Sequence, residues 1–351
     1  MHPVLLFAVY AQFAAAVRTF TVYNGCPFIV WPAIYTDLTA GNNTPQFQTG
    51  WQANAYSSVS FTVPDAWTSG RIWGRRDCTF PTGNTSPTTC LDGGCNGGLL
   101  CDPQTGTGIP PATLAEWSLG GTTGTDFYDV SLVDGYNLPI RITPTSGCPV
   151  AECPWDLGPV CPATLAGPYD STGFPVGCKS ACVADVDGNP GNSPNCCSGS
   201  FNTPQTCPSS GVAYYWFFKG YCPDAYAYAF DESSGTALWS CPSSNLANYT
   251  LTFCPPSDGA EPSVSSPSMT SGSITFARES TTSPTTSTPS GSPSSSATST
   301  SAAITQTATG ADTLPNSSAV SSRLSISILS ITMLALAGVA FLQIITSAIL
   351  S

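Results

Sequence analysis

The sequence predicts a mainly β protein, predominantly antiparallel, with a loop-rich lobe stapled by disulfides. Three observations carry this. Short runs alternate apolar and polar residues, stretches rich in Gly, Pro and Asn separate them, and sixteen cysteines lie between Cys26 and Cys254. Alternation with period two marks a strand with one buried face. An even set of cysteines in an exported chain reads as a disulfide framework.

Export is expected from the first element. "MHPVLLFAVYAQFAAAV" is an apolar run ending in small residues, so residues 1–17 read as a signal peptide, although no Lys or Arg precedes the run. Cleavage near Ala16 or Val17 would remove His2, the only histidine. From residue 18 to about 256, "TFTVYN", "SVSFTV", "TLAEWSL", "DFYDVSLV", "LPIRITP" and "YTLTF" each predict a strand. Between Cys148 and Cys222 the alternation fades and Cys, Pro and Gly dominate, which predicts the lobe. Within it, "GCKSACVAD" predicts a short helix.

Residues 257–316 turn to Ser, Thr, Pro and Ala, as in "TTSPTTSTPSGSPSSSATSTSAA". Such a stretch has too little apolar surface to fold, and it suits an O-glycosylated stalk. Residues 317–351 are largely apolar and long enough to span a bilayer. The small residues and short polar spacer of "NSSAVSSR" fit a glycolipid (GPI) attachment signal, at Asn316 or alternatively at Gly310. A retained transmembrane helix is the competing reading.

Charge and composition narrow the chemistry. Twenty-one acidic and nine basic residues give a formal charge of -12. Nucleic acid and anionic membrane surfaces need clustered Lys and Arg, so they are not expected as partners; neutral, hydroxyl-rich or cationic partners are. A mature chain without histidine has no Ser-His-Asp triad, no Cys-His pair and no His-based metal site. With every cysteine bridged, no thiolate nucleophile remains. No cofactor and no metal is expected. Carboxylates are left, and pairs of them are the usual equipment of glycoside hydrolysis.

Only 9% of the chain is charged, yet "AEWSLGGTTGTDFYDVSLVDG" (115–135) holds Glu116, Asp126, Asp129 and Asp134. Suppose "GGTTGT" is a hairpin loop with Leu119 facing Asp126 at its base. Glu116 then stands directly across from Asp129, with Cβ atoms about 4.5–5.5 Å apart. Two like charges so placed leave one carboxyl holding its proton to higher pH, as acid/base work requires. A slip of one residue would separate them. Solvated edge charges that block association are the plain alternative. Trp117, Phe127, Tyr128 and the run Tyr214–Trp216 have rings that could stack on sugars, but aromatics at strand spacing more often pack in the core.

"TFTVYNGCPF", "GRIWGRRDC", "PPATLAEWSL", "DFYDVSLVDGYNLP", "CCSGSFNTPQTC", "FFKGYCPDAYAYAFDE" and "TLTFCP" together resemble the thaumatin-like family, across residues 18–256 and with all sixteen cysteines in family order. The resemblance implies a thaumatin-like antiparallel β-sandwich with a disulfide-rich loop lobe and an acidic interdomain cleft. It implies the bridges Cys26–Cys254, Cys78–Cys90, Cys95–Cys101, Cys148–Cys241, Cys153–Cys222, Cys161–Cys178, Cys182–Cys196 and Cys197–Cys207. Two departures are local: the family usually has Thr-Gly-Asp before the cysteine at position 95, whereas "CLDGGC" puts Asp92 two residues earlier, and "CVADVDGNPGNSPNC" is a longer loop.

Family members with antifungal or glucan activity line the cleft with one Arg, one Glu and three Asp. The matching positions here are Arg71, Glu116, Asp129, Asp134 and Asp231. Arg75 and Arg76 are expected as outward salt-bridging residues, Asp126 at a strand end or turn, and Asp224 ordering its own loop. Asn42, Asn84 and Asn248 are sequons permissive for glycans, as is Asn316. The function implied is a monomeric cell-surface protein that binds β-1,3-glucan and has weak endo-β-1,3-glucanase activity. Glu116 would donate the proton, with Asp129 as nucleophile or base. A GPI anchor would hold it at the extracellular face of the plasma membrane or in the wall. A non-catalytic wall-binding protein and a defence protein acting on foreign membranes or hydrolases are the alternatives.

Overall fold

A computed structural model describes residues 17–120 and 124–257. The predicted signal peptide up to residue 16, the predicted stalk beyond residue 257, the predicted attachment segment, Asn316 and the tip of the predicted hairpin lie outside the described residues. Ten strands form two five-stranded sheets. The first runs in the order β3 (Ser58–Pro64), β1 (Val17–Asn24), β10 (Tyr249–Phe253), β7 (Ile140–Pro144) and β8 (Ala151–Cys153). The second runs β2 (Trp31–Thr36), β4 (Gly70–Arg75), β5 (Leu114–Ser118), β6 (Thr125–Ser131) and β9 (Trp239–Pro242). All strand pairs are antiparallel except β1 with β10, which are parallel at the centre of the first sheet.

Every predicted run is a strand. The strands that the pattern does not show are β2, β4, β8 and β9. In β2 and β4 all but one residue of each strand is buried, so neither can alternate. The reason is a second, smaller core on the outer face of this sheet. Ile34, Ile72, Ala115, Trp117, Tyr128 and Val130 point into the main core between the sheets. Their neighbours of opposite parity, Ala33, Tyr35, Trp73 and Leu114, pack on the outer face under the Cys95–Cys101 loop.

The eight disulfides are those the resemblance implies, and among the described residues no cysteine is free. Most of the bridges fall in or beside the loop-rich region from Cys148 to Cys222. That region holds α1 (Tyr215–Tyr221). "GCKSACVAD" is not a helix. Its backbone forms turns, with Ala184 N–H on the Ser180 carbonyl and Asp185 N–H on the Cys182 carbonyl, and Asp185 takes φ +49°. Bridges from within it, at Cys178 and Cys182, tie the segment to its neighbours.

Two expectations for charged residues are corrected and a third holds. Arg75 does not face outward: it is fully buried and donates to the carbonyls of Trp31, Pro32, Gly98 and Leu99, which pins the Cys95–Cys101 loop to the sheet. Arg76 is half-buried, 4.9 Å from the Phe28 ring, and donates to the Val176 carbonyl rather than to a carboxylate. Asp126 is at a strand end, as expected, as the second residue of β6, and it is fully buried. It accepts from Arg18 Nη1 at 2.9 Å, Ser243 Oγ at 2.6 Å, Tyr249 Oη at 3.1 Å and Gly120 N at 2.9 Å. A buried ion pair survives only with its remaining lone pairs satisfied, and these four donors satisfy them.

Asp92 is the opposite case. Its Oδ1 accepts from Arg76 N at 3.1 Å and Asn137 Nδ2 at 2.8 Å, while its buried Oδ2 has no partner. Asn137 also donates to Gly74 O and accepts from Thr113 N, so this one cluster joins the end of β4 to the approach to β5. Burial pushes the Asp92 carboxyl up to about 7.

Candidate functional site

The second sheet sets four polar side chains in a row. Tyr35 on β2 pairs with Arg71 on β4, Arg71 with Glu116 on β5, and Glu116 with Asp129 on β6. Directly paired residues share a face, so all four stand on the outer face, beside the small core that contains Trp73 and Leu114. The hairpin register is the one the sequence predicts. Ser118 pairs with Phe127 at its end, and Gly120 N caps the Asp126 carboxylate just beyond.

Arg71 sits on one flank of the acids. Its Nε is 3.5 Å from Glu116 Oε1 and its Nη1 is 4.0 Å from Asp134 Oδ2. Asp134 belongs to the turn after β6, where Gly135 takes φ +88°. A Cβ at Gly135 would lie 2.9 Å from the Cys178 carbonyl and 3.0 Å from Pro111, so only glycine lets the turn close against the lobe.

On the other flank β9 stops short of Asp129: its last pair with β6 is Trp239 with Tyr128. The lobe takes over this edge. Tyr226 N–H donates to Val130 O at 2.8 Å, and Leu132 N–H to Tyr226 O at 2.9 Å. The charge of Glu232 acts on both Tyr226 and Asp129. Glu232 is thus a further acid near this edge that sequence reasoning did not single out.

Asp231, its neighbour, is turned away. It is fully buried and accepts from Tyr215 Oη at 2.9 Å and Ala227 N at 3.0 Å, with Lys219 Nζ at 3.0 Å. It braces the lobe and offers no surface to a ligand, in contrast to the lining role the resemblance implies. Asp224 lies near Glu152 and Lys219, outside the row. Trp117 and Tyr128 are core residues, at 2% and 0% exposure. Trp216 is half exposed, against the edge of Tyr215. The sequon residues Asn42, Asn84 and Asn248 are all exposed.

Burial and crowding hold protons on the pair. The Asp129 carboxyl is pushed well above its usual range, first by burial and then by the charges of Glu116 and Glu232, with Arg71 opposing. The Glu116 carboxyl is raised by burial and less so by Asp134, against the same Arg71. Two opposed carboxyls in this setting keep one proton between them at a pH where a lone surface pair would have lost both.

A two-sheet β domain closed by eight disulfides, with carboxylates and one arginine ranked across the outer face of a sheet, defines the class of protein. The chain belongs to the thaumatin family, whose model matches residues 24–255. It is 40% identical to "Thaumatin-like protein 1" of Pyrus pyrifolia over 67% of this chain and 90% of that one. It is 39% identical to "Glucan endo-1,3-beta-glucosidase" of Prunus avium, over 69% of this chain and 92% of that one. "Pathogenesis-related protein 5" of Arabidopsis thaliana is 39% identical over 73% and 98% of the two chains.

Proposed function

We propose that the acidic cluster lines a cleft that binds β-1,3-glucan and hydrolyses it slowly, with Glu116 and Asp129 as the acid/base pair. The observation that supports this most is the direct opposition of Glu116 and Asp129 on one sheet face, in a chain 39% identical to one named for glucan endo-1,3-β-glucosidase activity. One carboxyl gives its proton to the glycosidic oxygen as the bond to C1 breaks. The other, ionised, bonds C1 itself or takes a proton from the water that does. Arg71 holds the cluster together against its own repulsion. Asp134 and Arg71 then contact sugar hydroxyls.

Glu116→Gln is expected to cut reducing-end release from linear β-1,3-glucan by on the order of 100-fold, the scale for loss of an acid/base group. Glucan binding should be retained, because Gln keeps the shape. Binding without hydrolysis in the unaltered protein would establish the non-catalytic reading instead. Unchanged hydrolysis in the variant would remove Glu116 from the chemistry.

The same proposal places the protein outside the cell, where disulfides persist, with residues 257–316 as a stalk and 317–351 exchanged for a GPI anchor. A phosphatidylinositol-specific phospholipase is then expected to release it from membranes, without its apolar C-terminal peptide. Recovery of that peptide still joined to the membrane-bound protein would mean a transmembrane span.

A further inference from the structure

The first sheet turns Phe20, Val22, Tyr249 and Leu251 into the core, so the residues between them stand on its outer face. That face is uncharged on β3, β1 and β10. Ser60, Thr21, Thr250 and Thr143 form one row across β3, β1, β10 and β7. Thr62 and Thr19 flank the row on one side, and Tyr23 and Thr252 on the other. The two charges of the face, Arg141 and Glu152, pair with each other at the β7–β8 edge. An antiparallel sheet can leave one face to water. This one has a sequon at its corner. Asn248 continues the alternation of β10 outward, because Ala247 and Tyr249 on either side of it are buried. Its N–H donates to Thr145 Oγ1 at 2.9 Å, and its Oδ1 accepts from Thr19 N at 2.7 Å. Asn248 is exposed, and among the described residues nothing hydrogen-bonds to its Nδ2.

We propose that Asn248 carries an N-linked glycan that lies across this face and covers it. Only the export reading above is needed for this, not the glucan one. Asn248-Tyr249-Thr250 is the acceptor sequence. Nδ2 bonds C1 of the first sugar of a lipid-diphosphate-linked oligosaccharide. The C1–O bond to the diphosphate breaks, the lipid diphosphate leaves, and Nδ2 gives up one proton. Oδ1 is untouched, so its bond to Thr19 still fixes the carboxamide and starts the glycan at the corner of the face. The face spans about 14 Å from β3 to β7 and about 14 Å along β1 from Thr19 to Tyr23. Sugar rings have hydroxyl edges and C–H faces. Ser and Thr hydroxyls, each both donor and acceptor, match the edges. The Tyr23 ring and the Thr methyls match the faces. Asn42 and Asn84 lie in loops, outside both sheets.

Position 250 separates the glycan from the asparagine that holds it. Thr250→Val destroys the sequon but leaves Asn248 and its bond to Thr19. Thr250→Ser keeps the sequon. Thr250 is half-buried on the outer face and Val is a good strand former, so both variants should fold. Thr44→Val removes the Asn42 sequon and serves as the control for losing a glycan elsewhere.

The test is glycopeptide mapping of the full chain made in a eukaryotic secretory host, followed by thermal unfolding and hydroxyl-radical labelling. Asn248 is expected to be occupied. Thr250→Val should lower Tm by about 2–4 °C, a modest loss for a domain of this length. It should also speed labelling of Tyr23, while Tyr169 on the lobe, 53% exposed, labels as before. Thr250→Ser and Thr44→Val should leave both readouts at the parent values. A bare Asn248 overturns the proposal, and a glycan on Asn42 or Asn84 in the same sample shows that export still stands. All three bare, with the protein retained inside the cell, overturns both readings. An occupied Asn248 whose loss changes neither Tm nor Tyr23 labelling also overturns the proposal. Tyr23 labelling that speeds on dilution of the parent, and not on loss of the sequon, gives the face to a second copy of the chain instead.

Discussion

Replacing Cys26 and Cys254 together by alanine is expected to lower stability by about 4–5 kcal/mol in the chain-entropy account. The two are separated by 228 residues in sequence, so the bridge removes more unfolded-state freedom than any other in the domain. Cys148–Cys241 already shortens that path, and because loop closure grows only with the logarithm of length the saving changes little. Alanine is preferred to serine because Cys26 is fully buried and a hydroxyl there would lack a partner. Guanidinium unfolding with the other seven bridges intact measures the loss. A change below about 1 kcal/mol would show that the bridge only decorates ends the β1–β10 pairing already holds.

The domain is also expected to lose stability as pH rises from about 4 to about 7, and Asp92→Asn should remove much of that slope. The sign follows from where the proton goes. Below pH 4 Asp92 is protonated folded and unfolded, and contributes nothing. Above it, the unfolded chain releases the proton near the ordinary value of 3.8, while the folded chain keeps it to about 7. Through that window the unfolded state is favoured, by up to about 4 kcal/mol, and above it the penalty is constant. Glu116 and Asp129 slope the same way, so the quantity that isolates Asp92 is parent minus variant at each pH. An unaltered slope in the variant would mean the Asp92 site admits water or rearranges when ionised.

Much of this was legible because alternation is a direct record of a half-buried strand. The Glu116–Asp129 pairing could be read from one hairpin assumption, since register propagates along both strands. The two strands on the far side of Glu116 were not legible in the same way. β2 and β4 are covered on both faces, and a covered outer face needs the Cys95–Cys101 loop, which comes from a distant part of the chain. The same cover explains Arg75. It shares its strand parity with Arg71, so nothing local separates the arginine that meets carboxylates from the one that meets four carbonyls. Asp231 and Glu232 differ by one position in a short 3-10 turn, where a residue's direction depends on how the lobe docks. "FDE" held the signal that two acids were present, but not that Asp231 turns inward.

The parallel pairing of β1 with β10 has a mechanical meaning. Chain continuing past residue 257 leaves the domain from the middle strand of a sheet, flanked by β1 and β7. A pull from that side, with ligand gripped at the second sheet, reaches Cys254 and its bridge to Cys26 before any rung of the β10 ladder. The load passes through a covalent bond into the segment that follows β1, so β10 cannot be peeled out from its exit end.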